Sequence, residues 1–253
     1  MIIPAQLFGD AKVNRERIQT RTANCAPCGA PSAGMHTVTS NRPRGNEANL
    51  VDPVPKPTDP FVDDPGPNFV RTGIWFYGAM AIVAVLWRTG MYSEPIFFAT
   101  QEDAATGPSW GNDIVLGLFV GFVFVALSNL ATRFTEWGEN LARAMADALG
   151  PISTADAILL AFASGLAEEM LFRGALQPRV GLVVATVLFG IVHFVPRREF
   201  LPWTVFALVV GYCFAVMFEY TGNLIAPVVA HTVINGINLP TLIKQYGTPE
   251  PDV

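Results

Sequence analysis

Two adjacent glutamates and an arginine, Glu168, Glu169 and Arg173, stand in the otherwise apolar run AILLAFASGLAEEMLFRGAL. Two later apolar runs carry His193 in LFGIVHF and His231 with Asn235 in APVVAHTVINGI. A charged side chain at mid-bilayer costs about 2.5–3.5 kcal/mol on insertion scales, so such groups are kept where they are paired or where they act. Adjacent helical residues project about 100° apart, so the two carboxylates cannot share one position. Glu169 and Arg173, four apart, lie on one face and can pair, which leaves Glu168 to face elsewhere. His231 and Asn235 share a face for the same reason. A carboxylate with two imidazoles supplies the base and donors of hydrolysis, and one Glu with two His is also a zinc ligand set. For each residue taken alone, the plain alternative is a buried polar cluster tying helices together, at about 0.5–2 kcal/mol per hydrogen bond.

Depth joins the three runs. At about 1.5 Å per residue, Glu168 lies about 12 Å below Leu176, His193 about 20 Å below Val180 and His231 about 10 Å below Leu224. These ends fall on one membrane face if successive spans alternate.

The elements that must position these groups follow from composition. The chain has 253 residues, 51% hydrophobic and only 15% charged, where a soluble domain carries roughly 25% charged residues. Six apolar runs predict an all-α, polytopic transmembrane helical bundle: Ile74 to Trp87, Ile114 to Ala131, Ala155 to Leu176, Val180 to Val195, Leu201 to Phe218 and Leu224 to Leu239. Several fall short of the roughly 20 residues an untilted span needs. Thr135 to Leu149 places Trp137, Leu141, Met145 and Leu149 on one side, as in a helix lying in the interface. Gly150 and Pro151 end it, and Ser153, with Asp156 three residues on, caps the next span.

Gly117 and Gly121 form a GxxxG, read as close packing within the bundle in preference to a dimerisation face. Pro227 is expected either to kink the sixth span or to be a tolerated membrane proline. Trp87, Trp110 and Trp203 sit where an interfacial belt would place them. With six alternating spans, Arg71, Arg133, Arg143, Arg197, Arg198 and Lys244 gather on one side and Arg88 and Arg179 on the other. The positive-inside rule then makes both termini cytoplasmic.

Residues 1–70 hold ten of the twenty prolines and read as a disordered, Pro-rich tail. Residues 71–150 are the amino-terminal spans and interfacial helix, 151–242 a core of four spans, and 243–253 a short tail. Cys25 and Cys28 form a CxxC without a second pair, read as incidental thiols, and with Cys213 they exclude a disulfide framework. His36 is assigned nothing. Sixteen basic residues without a clustered stripe, at net charge -5, exclude a nucleic-acid partner.

EEMLFR, FGIVH and HTVIN reproduce EExxxR, FxxxH and HxxxN, and in that order the chain resembles the CAAX protease and bacteriocin-processing superfamily, which includes the type II CAAX prenyl endopeptidases. The resemblance covers roughly Ala155 to Leu239. It implies an intramembrane endopeptidase in which Glu168 and His193 activate a water, Glu169 and Arg173 support the site, and His231 and Asn235 stabilise the oxyanion. The implied partners are a membrane-associated protein or peptide substrate and the bilayer, in a prokaryotic inner membrane. A site without a cofactor is favoured, with zinc held by Glu168, His193 and His231 as the alternative. The alternative function is a non-catalytic scaffold or immunity-type protein that retains the cluster.

Overall fold

The computed structural model describes residues 65–247; the Pro-rich tail up to residue 64, with Cys25, Cys28 and His36, lies outside the described residues. Nine α-helices follow one another among the described residues. Helix α1 (Pro65–Val85) runs on into a π-helical turn, Leu86–Met91, and a short α2 (Gln101–Thr106) precedes α3 (Trp110–Phe134) and α4 (Glu136–Leu149). Helix α5 (Thr154–Glu169) continues as a π-helical stretch, Met170–Leu176, and then α6 (Gln177–Val180). The chain closes with α7 (Leu182–Val192), a 3-10 turn Arg198–Phe200, α8 (Leu201–Thr221) and α9 (Ile225–Tyr246).

By length and composition, Phe69–Met91, Trp110–Phe134, Arg198–Thr221 and Ile225–Tyr246 can each cross a membrane. The bent pair Glu136–Leu149 and Thr154–Val180 makes a fifth candidate. Four or five candidates by this measure are roughly consistent with the six expected runs, and two features account for the difference. The third carries the three charged residues, and the fourth is helical only over the 11 residues of α7, about 16 Å of rise against a hydrocarbon core of about 30 Å. Apolar side chains such as Phe119, Ile191 and Val205 face outward, more than half exposed. That is how a bundle solvated by lipid presents itself, with its backbone bonds satisfied inside helices.

Helix α4 meets the span that follows at 99°, the turn needed for a helix along the interface to precede one that crosses. Thr135 caps it by accepting from the Gly138 N–H at 3.1 Å. Its buried stripe is Gly138, Ala142, Ala146 and Leu149, while Trp137 is exposed, so the small residues and not the tryptophan make the close contact. Ser153 accepts from the Asp156 N–H at 3.1 Å and starts α5 as the capping pattern implies.

Close crossings depend on missing side chains. A Cβ at Gly117 would lie 2.6 Å from the Ala226 carbonyl oxygen, and one at Gly121 2.9 Å from the Val233 side chain. The GxxxG thus seats α3 on α9, inside the bundle. Gly165 does the same for α5 against Thr232, at 2.7 Å. Pro227 lies in the first turn of α9, where its missing N–H has no helical acceptor to lose. It kinks nothing, and the internal proline of this helix is Pro240.

On the face away from α4, the buried Arg88 pairs with Glu94 at 2.7 Å and donates to the Ala99 carbonyl at 2.8 Å. Arg179 also pairs with Glu94 and stacks over Tyr92 at 3.8 Å. One carboxylate so holds both arginines of this face. The 92–109 connection is pinned to the turn before α9 by Ala99 N–H to Gly222 O at 2.9 Å and Leu224 N–H to Phe97 O at 3.0 Å. The Arg179 hydrogen bond holds the Glu94 carboxyl below the usual carboxylate range. A folded value below the unfolded one means stability that is complete above the unfolded value, near 4.3, and lost as pH falls through the folded value. Glu94→Gln is expected to lower unfolding free energy by about 1–3 kcal/mol at pH 7. Thermal unfolding in detergent should show variant and wild type converging at the acid end; a constant gap would assign the loss to packing.

Candidate active site

The π-helical stretch begins immediately after Glu169, and such bulges recur where a helix must re-aim side chains at a functional site. Through it Arg173 still reaches back one turn, its Nη1 donating to Glu169 Oε1 at 3.1 Å. Arg173 Nη2 donates to the Gly211 carbonyl of α8 at 2.7 Å, and its guanidinium lies over the Phe189 ring, 4.4 Å from the centroid. The pair expected from the i,i+4 spacing is therefore formed, fully buried and braced by α7 and α8. Gly211 leaves room for the Phe189 ring beneath the guanidinium, since a Cβ there would stand 2.7 Å from Phe189 Cδ1.

Glu168 points away from that pair, toward two imidazoles. His193 Nε2 lies 3.6 Å from Glu168 Oε2, and His231 Nε2 lies 3.7 Å from the same oxygen. Both separations exceed a hydrogen bond. Three helices, α5, α7 and α9, thus bring one carboxylate and two ring nitrogens together, and all three side chains are buried.

The opposite ring nitrogens fix the tautomers. His193 Nδ1 is 2.7 Å from the Phe189 carbonyl oxygen, an acceptor only, so Nδ1 carries the proton. His231 Nδ1 is 2.8 Å from Glu169 Oε1, and a carboxylate paired with arginine likewise accepts. Both Nε2 atoms are left to face Glu168. The two rings nevertheless differ in what their Nδ1 atoms face: a carboxylate oxygen for His231 and a neutral backbone carbonyl for His193.

His193 caps the end of α7, a position made by the early stop of that helix. Asn235 lies one turn beyond His231 on α9, and its amide donates to Ser164 Oγ at 3.0 Å. Ser164 is buried one turn before Glu168 and donates in turn to the Ala161 carbonyl at 3.2 Å. Nothing in the sequence singled Ser164 out, because a serine inside an apolar run carries no signal of its own.

Trp203 was read as a belt residue. It is instead buried with its ring edge against His193, centroids 5.2 Å apart, and Phe214 lies beside His231 at 5.3 Å. Among the described residues, no group of three or more His, Cys, Asp or Glu side chains has the disposition that holds a metal ion.

Residues 150–237 match the family described as type II CAAX prenyl endopeptidase Rce1-like. The uncharacterized protein YpbD of Bacillus subtilis (strain 168) is 39% identical over 82 residues, which is 32% of this chain and 42% of that protein. The chain therefore spans under half the length of the relative it matches. No solved structure matches. The segment that matches this family model, residues 150–237, is the same stretch of chain whose helices converge on Glu168.

Proposed function

We propose that this protein is an intramembrane endopeptidase that hydrolyses a peptide bond of a membrane-associated substrate with a water activated by Glu168. The observation that carries the reading is the convergence of His193 and His231 on one oxygen of Glu168, at 3.6 and 3.7 Å, from separate helices. A water between Glu168 and His193 gives one proton to the carboxylate while its oxygen bonds to the substrate carbonyl carbon. Negative charge then develops on the carbonyl oxygen. His231, its ring oriented by Glu169, and the second amide proton of Asn235 stabilise it. Collapse breaks the C–N bond, the proton taken by Glu168 passes to the leaving amine, and the products are a carboxylate and an amine.

Each group has a task that its surroundings suit. Burial removes competing water, so fixed donors act at full strength, and the closed Glu169–Arg173 pair keeps the second carboxylate from competing as base. The reading is of metal-free catalysis, supported by the dispositions of these side chains and by an asparagine amide, a poor zinc ligand, at the donor position. Activity is expected to survive exhaustive chelation; chelator-sensitive activity restored by zinc would replace Glu168 as base with a metal centre.

The cheapest test needs no known substrate. Membranes from cells producing the wild type should contain new peptide termini that are absent when His193→Gln is produced to the same level. Identical terminus profiles would leave the non-catalytic scaffold as the better reading.

A further inference from the structure

A cavity of about 390 Å3 lies between the ends of α3, α4, α8 and α9 and reaches the catalytic cluster through Asn235 and Trp203. We infer that it is the substrate channel and that it takes an extended, uncharged peptide segment of about four to five residues, a conclusion that rests on the hydrolytic reading above. Three properties of the lining point there.

First, among the described residues no Asp, Glu, Lys or Arg lines the cavity, so a charged side chain inside it would lose its hydration without gaining a partner. Second, α9 presents an amide rail. Asn235, Asn238 and Gln245 all line the cavity at helical spacings of three and seven, which keep them on one stripe. Ser128 Oγ of α3 lies 3.2 Å from Asn238 Oδ1 and shares its one proton between that oxygen and the Val125 carbonyl at 2.9 Å. Third, the facing wall is apolar, built from Leu127, Trp137, Leu141, Met145, Phe206 and Val209.

This combination selects a peptide over a lipid chain. An acyl chain would use the apolar wall and leave the amides idle. An extended backbone out of water needs both donors and acceptors along its length, which carboxamide side chains supply from one group. Its alternating side chains then meet the apolar wall. Length follows from geometry: Asn235 to Gln245 spans about 15 Å of helix, which an extended chain covers in four to five residues at about 3.3 Å each. The volume is near the lower end of ligand sites, roughly 300–1,000 Å3, so the side chains it admits are small or medium in size.

The test uses the full chain in lipid nanodiscs, with Glu168→Gln so that the probe is not consumed. The probes are ten-residue Ala/Leu/Ser peptides bearing a terminal dinitrophenyl group and a single Asp or Lys moved one position at a time. Binding is read by quenching of tryptophan emission, since Trp137 and Trp203 line the cavity. A charge at any of four or five consecutive positions is expected to raise Kd at least tenfold, and a charge outside that window to leave it unchanged. Asn238→Leu and Gln245→Leu should each weaken peptide binding severalfold without affecting a dinitrophenyl-labelled fatty acid.

Equal binding of all charged peptides, or no binding of any, overturns the inference. Displacement of the peptide by the fatty acid at lower concentration overturns it in favour of lipid. Cleavage by the wild type without a charge window removes the channel and leaves the hydrolase. A charge window in Glu168→Gln, with every peptide left intact by the wild type, removes the hydrolase and leaves the peptide site.

Discussion

Glu168→Gln is expected to lower kcat by roughly 10^2–10^4-fold while leaving the unfolding temperature equal to or above that of the wild type. Glutamine fills the same volume and removes only the ability to accept and return a proton. The site loses a buried negative charge in the exchange, and replacing a buried ion by a neutral group of similar shape is often neutral or stabilising. The glutamine Nε2 can also donate toward His193 or His231, whose Nε2 atoms face this position. Kinetics on a cleaved membrane substrate, with thermal unfolding of the same preparation, reads both effects. Glu168→Asp separates base from geometry: it keeps the acid but withdraws it by about one carbon, and should fall between wild type and glutamine. Wild-type turnover by Glu168→Gln would remove the carboxylate from the chemistry altogether.

The residues of the cluster could be found in the sequence because the bilayer makes them conspicuous. Glu168, Glu169, Arg173, His193 and His231 each interrupt an apolar run, and the i,i+4 rule placed Glu169 with Arg173, as the 3.1 Å contact has it. Alternation of spans gave comparable depths for the carboxylate and the two imidazoles.

What escaped was everything that depends on where a helix stops or which neighbour it meets. The apolar run ending at Val195 gives no sign that α7 breaks at Val192 and leaves His193 as its cap. Hydropathy is indifferent to whether backbone bonds close at i+4 or i+5, so the π-helical stretch at Met170–Leu176 has no signature. Trp203 follows a proline near a span end, which is also where belt tryptophans sit, and only the packing of α8 against α7 turns it toward His193. Ser164 is silent until Asn235 is known to lie across from it. Pro227 invited a kink because the start of α9 could not be placed to within a turn, and that one turn decides whether a proline costs a hydrogen bond.

The two roles of Glu169, ion-pair partner of Arg173 and support of His231, can be pulled apart. Glu169→Gln alone should cost about 3–5 kcal/mol of stability, because it strands the guanidinium of Arg173, 1% exposed, without its counter-ion. It should also lower kcat by roughly 10^2-fold or more, because His231 loses the carboxylate at 2.8 Å that holds its ring in place. In the double variant Glu169→Gln/Arg173→Met both charges leave together, and the methionine fills the space against Phe189. Stability is then expected to return to within about 1–2 kcal/mol of the wild type. Activity is not, since His231 still faces an amide in place of an anion. Unfolding in detergent and kcat on one substrate, measured for all three proteins, form the comparison. Recovery of kcat alongside stability in the double variant would reduce Glu169 to a structural partner of Arg173 and remove its support of His231 from the catalytic role.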